Sequence, residues 1–131
     1  MTNPISDITD EAELLFLIGT NATEAHPVIG YKMRKAARNG AKMVVCDPRH
    51  IDLVDEADYW LRQKPGTDIP LLNGLMHIII KEGLEDKKFI EERTENYEEL
   101  KAIVAEYTPE RVSEMTGVSV DDLYAVARLY A

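Results

Sequence analysis

Leu14-Leu15-Phe16-Leu17-Ile18-Gly19-Thr20-Asn21 opens the stretch that decides the fold, and Met43-Val44-Val45-Cys46-Asp47-Pro48-Arg49 closes it. Each begins with a short, wholly apolar run and stops at turn residues. Such runs suit strands buried on both faces, as in a parallel sheet. Between them the spacing predicts a helix over about 26–39, with Pro27 at its first position and Gly40 just past its end. Val28, Ile29, Met33, Ala36 and Ala37 share one face of that helix. Lys32, Lys35 and Arg38 lie mainly on the other, the pattern of an amphipathic helix. The whole reads as one βαβ unit, which makes the fold class α/β. Ligands of open α/β sheets sit at the carboxyl ends of the strands. Two polar tips, Gly19-Thr20-Asn21 and Cys46-Asp47-Pro48-Arg49, are therefore expected side by side.

Working outward, residues 2–6 read as an irregular lead-in and 7–13 as a short acidic turn. An acidic connector over 52–56 leads into a third strand over 57–62. Lys64-Pro65-Gly66-Thr67-Asp68 is a tight loop that opens a second helix, over about 69–82. Thr67 or Asp68 suits its cap, and Pro70 falls in the first turn, where a missing N–H costs little. Leu71, Leu72, Leu75, Met76, Ile78, Ile79 and Ile80 make that helix apolar nearly all round, so it is expected to be central. The remainder reads as helical: 85–93; 97–107, capped by Asn96; a helix from Thr108-Pro109 to Gly117; and a last one from Ser119, with capping-box-like spacing, to the end. The expected organisation is a single domain over 1–131, with a βαβ-β portion over 1–66 and a helical portion over 67–131. The last helix runs out without a stop signal, as expected of a piece of a longer protein.

The totals are those of a globular chain: 131 residues, 45% hydrophobic, net charge −9. No apolar run approaches the ~20 residues of a membrane helix, and no basic-then-apolar leader opens the chain. Membrane insertion is not expected, and the expected location is the cytoplasm. The single cysteine excludes an internal disulfide and any cysteine-rich cluster within these residues. Residues 1–66 hold 8 basic against 10 acidic side chains, and residues 67–131 hold 7 against 14. The acidic excess is thus C-terminal, where it reads most simply as a solvated surface with Tyr97, Tyr107, Tyr124 and Tyr130 as partly buried packing residues. No basic face is available for a nucleic-acid partner. A small anion remains possible at the N-terminal unit.

Three loops carry the chemistry of a nucleotide site. Gly19 allows close approach of a phosphate to the backbone, and Thr20 and Asn21 offer neutral donors. Asp47 can accept hydrogen bonds from ribose hydroxyls, and Arg49 can stack on a base or pair with phosphate. Asp68 can accept the ring N–H and exocyclic amino group of guanine, a donor pair that adenine lacks. Gly66 and Thr67 shape the approach to it. The G-x-G-x-x-G dinucleotide fingerprint is absent. Each residue also has a plainer reading: Cys46 as a small buried residue at a strand end, Asp47 as a turn residue, Asp68 as a helix cap. His26, His50 and His77 read as a helix-entrance residue, an exposed residue and a core or boundary residue.

Ile18-Gly19-Thr20-Asn21-Ala22-Thr23-Glu24-Ala25-His26-Pro27, then Asn39-Gly40-Ala41-Lys42 running into Cys46-Asp47-Pro48-Arg49, then Gly66-Thr67-Asp68 opening an apolar helix with Asn73-Gly74, form an ordered set. Together with Tyr107-Thr108-Pro109-Glu110 and Thr116-Gly117-Val118 they resemble the catalytic alpha subunit of molybdopterin-dependent formate dehydrogenases, in the molybdopterin oxidoreductase family. The resemblance covers essentially the whole chain. It implies a Rossmann-like short parallel sheet flanked by helices, with a helical C-terminal half. It also implies that the chain binds the guanosine diphosphate arm of one molybdopterin guanine dinucleotide. On that match Gly19, Asn21 and Glu24 lie near the pyrophosphate, Cys46, Asp47 and Arg49 near ribose and base, and Gly66 and Asp68 near guanine; Thr20 and Thr67 are counted with them as cofactor-binding. The family's iron–sulfur cysteine cluster and its metal-ligating cysteine or selenocysteine with the following histidine do not occur here. Met1-Thr2-Asn3 resembles the segment just downstream of that pair.

The implied whole subunit oxidises formate to carbon dioxide with two electrons. Molybdenum or tungsten and the iron–sulfur cluster would be held by parts outside this chain, which alone is expected to be inactive. The implied partners are the remaining domains of the same subunit and the electron-transfer subunits of the complex. Two other readings stay open: a stand-alone nucleotide-binding regulatory domain, and an acidic helical interaction module that docks through Glu98, Glu99 and Glu106.

Overall fold

A computed structural model of the chain describes residues 4–131. The expected lead-in and the Met1-Thr2-Asn3 match lie wholly or partly outside these residues. The chain forms two compact units, one ending at Arg62 and one spanning Gln63–Ala131.

The first unit holds a three-stranded parallel sheet in the order β1 (Leu14–Ile18), β2 (Lys42–Cys46), β3 (Tyr59–Leu61). Leu14 pairs with Lys42 and Ile18 with Cys46, while Cys46 also pairs with Leu61. The last residues of all three strands therefore fall in one row. Burial on both faces belongs to β2 alone, where Met43, Val44, Val45 and Cys46 are sealed from solvent. β1 has a strand on one side only; Leu15 and Leu17 are buried and its other residues half-buried, a correction to the two-sided burial expected of it. The third strand is three residues long rather than six. Asp58, just before it, accepts hydrogen bonds from Lys42 Nζ (2.7 Å) and the Met43 N–H (2.9 Å), which fixes where pairing starts.

α1 (Asp7–Asp10) replaces the expected acidic turn, and the connector before β3 is a 3₁₀ turn, Asp52–Glu56, that buries Leu53. The crossover comprises two helices, not one: a single turn α2 (Ala22–Ala25), then α3 (Pro27–Arg38). Ile29, Met33, Ala36 and Ala37 face the core as expected, with Leu15, Leu17, Met43, Val45 and Leu53. Val28 does not; it is 69% exposed. Its place on the buried face is taken by Gly30, where a Cβ would lie 3.0 Å from the Thr23 Cα. α3 has rotated to press its bare glycine against α2.

The second unit is helical: α4 (Asp68–Glu82), α5 (Lys87–Arg93), α6 (Tyr97–Val104), α7 (Pro109–Thr116) and α8 (Val120–Tyr130). α4 is central, packed by α6, α7 and α8. Leu71, Leu75 and Ile78 meet a core that includes Val104, Val112, Leu123 and Val126, although Ile69 and Leu72 remain exposed. The helix starts follow the expected chemistry at α7 and α8, where Thr108 and Ser119 accept from Arg111 N and Asp122 N. Asn96 is different. It holds a left-handed φ of 58° and makes no side-chain cap, so α6 begins there through a backbone bend. Tyr97, Tyr107 and Tyr124 are half-buried as expected, whereas Tyr130 in the last turn is 59% exposed. Arg128 makes two hydrogen bonds to the Glu82 carboxylate (2.8 and 2.6 Å), joining α8 to the end of α4. Among the described residues, no helix is long and apolar enough to cross a membrane.

Two predictions follow from this packing. A Cβ on Gly74 would lie 2.8 Å from Val112 Cγ2 on α7. Gly74→Ala is expected to lower thermal stability by about 1–2 kcal/mol, overpacking outweighing the ~1 kcal/mol gain in helix propensity. Adding Val112→Ala should give a double variant less destabilised than the two single effects sum to. The second concerns acid. The Lys42 hydrogen bond, then the Met43 N–H, hold the Asp58 carboxyl below the usual carboxylate range. A depressed folded pKa stabilises above the unfolded value of about 4 and is lost as pH falls through the folded one. Denaturant titrations should therefore show the wild type losing stability below about pH 4 more steeply than Asp58→Asn, which starts less stable at neutral pH.

Candidate functional site

The carboxyl row of the sheet supports the first two loops. Parallel pairing of Ile18 with Cys46 sets the residues after each strand next to one another, and Gly19 N donates to the Cys46 carbonyl (3.3 Å) across the gap. Gly19 has φ +59°, and nothing lies within 4 Å of where its Cβ would be. The backbone there is bare and open. A side chain would both strain it and fill the space.

Thr20 and Asn21 are half-buried. Asn21 stands at the start of α2, its carbonyl accepting from Glu24 N and Ala25 N and its Oδ1 accepting from Thr23 Oγ1 (2.9 Å). Its carboxamide N–H₂ stays available as a neutral donor. Glu24 is exposed on α2. The helical turn around these residues went unread in the sequence. Four residues carry no periodicity, and the Ala22-Thr23-Glu24-Ala25 segment has neither a Gly nor a Pro to mark its ends.

Cys46 is wholly buried, as its plainer reading had it. Asp47 is only 2% exposed, and its Oδ1 accepts from the Arg49 backbone N–H (2.8 Å) and from Arg49 Nε (3.3 Å). Both contacts are local. Asp47 thus closes an Asx turn and at the same time orients the guanidinium two residues on, which is itself 71% exposed. The turn is braced by the next strand: Trp60 Nε1 donates to the Asp47 carbonyl (2.8 Å), and Arg62 Nε donates to the Pro48 carbonyl (3.2 Å). Arg62 lies over the Trp60 ring at 5.2 Å, and His50 meets the ring edge-on at 5.1 Å while pairing with Asp55. Trp60 and Arg62 were not singled out from sequence. The signal was their place two residues apart at the end of the short third strand, Trp60 on it and Arg62 just past it.

The third loop belongs to the second unit and has its own scaffold. Lys64 N donates to the Thr116 carbonyl (2.9 Å), and Lys64 Nζ reaches the Glu114 carbonyl (3.1 Å). Thr67 N and Oγ1 both donate to the Lys64 carbonyl, the hydroxyl at 2.7 Å. Thr67 therefore ties the loop and does not cap α4 through its side chain. Gly66 is exposed with φ +80° and open space at its Cβ position. Asp68 is exposed on the first residue of α4, its Oδ1 accepting from Gln63 Nε2 (2.9 Å). The three histidines have structural settings. His26 sits between α2 and α3, and His77 donates Nδ1–H to the Val104 carbonyl (3.0 Å), which fixes its tautomer because a carbonyl only accepts.

The Molybdopterin oxidoreductase family profile matches residues 1–124. The F420-dependent formate dehydrogenase 1 subunit alpha of Methanococcus maripaludis is 44% identical over 99% of the chain, and formate dehydrogenase H of Escherichia coli is 45% identical over all of it. Nitrate reductases are also among the relatives, at about 40% identity. The chain spans 19% and 18% of the length of those two formate dehydrogenases. Among solved structures, acetylene hydratase from Pelobacter acetylenicus superposes on 96% of the chain with a TM-score of 0.86 at 31% identity, the match covering 19% of that protein.

The bracing of the Asp47 turn is open to test. Trp60→Phe removes the indole donor while keeping an aromatic ring. It is expected to cost about 1–2 kcal/mol in thermal unfolding and to speed amide hydrogen exchange at Arg49, with exchange in α7 and α8 unchanged.

Proposed function

The chain belongs to the molybdopterin oxidoreductase family, and from that premise we propose that it holds the guanosine diphosphate arm of a molybdopterin guanine dinucleotide in a formate dehydrogenase-type enzyme. The observation that carries the proposal is the pair of adjacent strand tips: a left-handed, open Gly19 beside a turn whose internal bonds aim Arg49 outward. This fits a nucleoside diphosphate. The open space at Gly19 lets a pyrophosphate approach the strand tip closely, and the Asn21 carboxamide N–H₂ suits it as a donor, the Gly19 N–H itself being given to the Cys46 carbonyl. Arg49 suits the base or ribose side, and Asp47, only 2% exposed, acts by orienting it through the bonds from its Oδ1 to the Arg49 amide and guanidinium. Glu24, being acidic and exposed, is assigned to the margin of the phosphate region.

Guanine is assigned to Gly66, Thr67 and Asp68. A carboxylate accepts the N1–H and exocyclic N–H of guanine, whereas adenine presents a lone pair at N1 and would face it repulsively. Cys46 is enclosed, so we assign the metal and any iron–sulfur cluster to residues of the enzyme outside this stretch. The cofactor supplies the two-electron redox chemistry at its metal. The residues here bind and orient one end of it. Formate as the substrate is supported by the 42–45% identity to formate dehydrogenases against 36–40% to nitrate reductases. The remaining domains of the subunit and electron-transfer subunits are its proposed partners.

Calorimetric titration of the chain with GDP and ADP tests the binding proposal. GDP is expected to bind about tenfold or more tightly, the ratio that ~1.4 kcal/mol of base discrimination gives. Asp68→Ala should bring GDP down to the ADP level. Equal affinity for the two nucleotides would overturn the guanine assignment.

A further inference from the structure

Gln63 is the one fully buried side chain in the second unit that leaves a polar atom unsatisfied. It is 2% exposed, and its Oε1 has no hydrogen-bond partner among the described residues. Its Nε2 lies 2.9 Å from Asp68 Oδ1. That assignment of the amide is not interchangeable. A carboxylate only accepts, so the nitrogen must face Asp68 and the oxygen must face away. A buried amide oxygen without a partner costs about 1–3 kcal/mol. A methionine of the same length would fill the volume without that cost. Local stability therefore gives no reason for glutamine at position 63. What an apolar isostere would lack is the N–H that grips Asp68.

We propose that Gln63 is a positioning residue for base recognition: its Nε2 holds Asp68 Oδ1 so that the exposed carboxylate meets the N1–H and amino group of guanine in one orientation. The proposal rests on the reading of Asp68 given above. The rest of the loop is already immobilised by Lys64 on the Thr116 and Glu114 carbonyls and by Thr67 on the Lys64 carbonyl. The Asp68 side chain is the remaining freedom. An exposed aspartate samples several rotamers, and a bidentate partner selects one. Gln63 makes that selection before the ligand arrives, which lowers the ordering cost of binding.

Gln63→Met and Gln63→Glu in the 131-residue chain separate this role from packing. The first keeps length and burial and removes the donor. The second keeps shape and replaces the donor with an acceptor that repels Asp68. Both are to be titrated with GDP, IDP and ADP and melted without ligand. In the wild type GDP is expected to bind more tightly than IDP, which lacks the amino group, and IDP more tightly than ADP. Gln63→Met should lose about tenfold in GDP affinity, as for loss of a charge-assisted hydrogen bond, with ADP affinity unchanged and the melting temperature held or raised. Gln63→Glu should lose the GDP preference as well. A Gln63→Met variant that keeps the wild-type GDP to ADP ratio, or that weakens both nucleotides equally while melting lower, overturns the positioning role and leaves the guanine assignment standing. A wild type with no GDP preference removes both.

Discussion

Parallel pairing of β1 with β2 is the constraint on which the rest depends. Parallel strands cannot be joined by a hairpin, so the chain must cross over through α2 and α3 before it returns. That return sets Ile18 opposite Cys46, and the next pairing sets Cys46 opposite Leu61. Three chain exits are thereby lined up along one edge. A slip of one residue would turn Met43 and Val45 from the side of the sheet they share with Leu15 and Leu17 to the other. It would also move Asp47 away from Gly19. The burial of β2 and the placing of the loops are one requirement, enforced by the same side chains.

Rigidity in the loops comes from hydrogen bonds made within each unit. In the first, Asp47 uses an oxygen on its own turn, and Trp60 and Arg62 take up the carbonyls of Asp47 and Pro48. In the second, Lys64 spends both its amide and its ammonium on the carbonyls at the end of α7. Buried or half-buried backbone carbonyls are costly when left unmatched. These contacts therefore lower the energy of the fold and define the loop shapes together, without a ligand's help.

Legibility followed the range of the interaction. Apolar runs bounded by Gly19 and Asp47 announced two strands, and Thr108-Pro109 and Ser119 announced helix starts, because those signals are local. The helix face was read correctly except at one position. Val28 is the more apolar residue, but Gly30 packs, since the deciding factor was the backbone of α2 3.0 Å away. Trp60 was visible as an apolar strand residue; that its indole would serve the Asp47 carbonyl depends on strand register and cannot be read from spacing. Asn96 looked like a cap by type, yet the chain used its tolerance of left-handed backbone instead. The candidate site residues were legible as residue types in order along the chain. Which of their polar atoms were already committed was not.

That commitment separates two aspartates that sequence alone treats alike. Asp47 is sealed in the first unit, its Oδ1 occupied by a neighbour's amide and guanidinium, and it acts by giving Arg49 a direction. Asp68 stands in solvent at the start of α4 with one oxygen held from behind. A carboxylate can recognise a donor only if its desolvation is compensated and its orientation is set beforehand. Exposure keeps the first cost low for Asp68, and a single buried amide supplies the second. For Asp47 the balance is the reverse, because the side chain is enclosed and its Oδ1 serves the turn. The same side chain is thus a brace in one loop and, in the other, left open for the reading role proposed for it, and burial decides which.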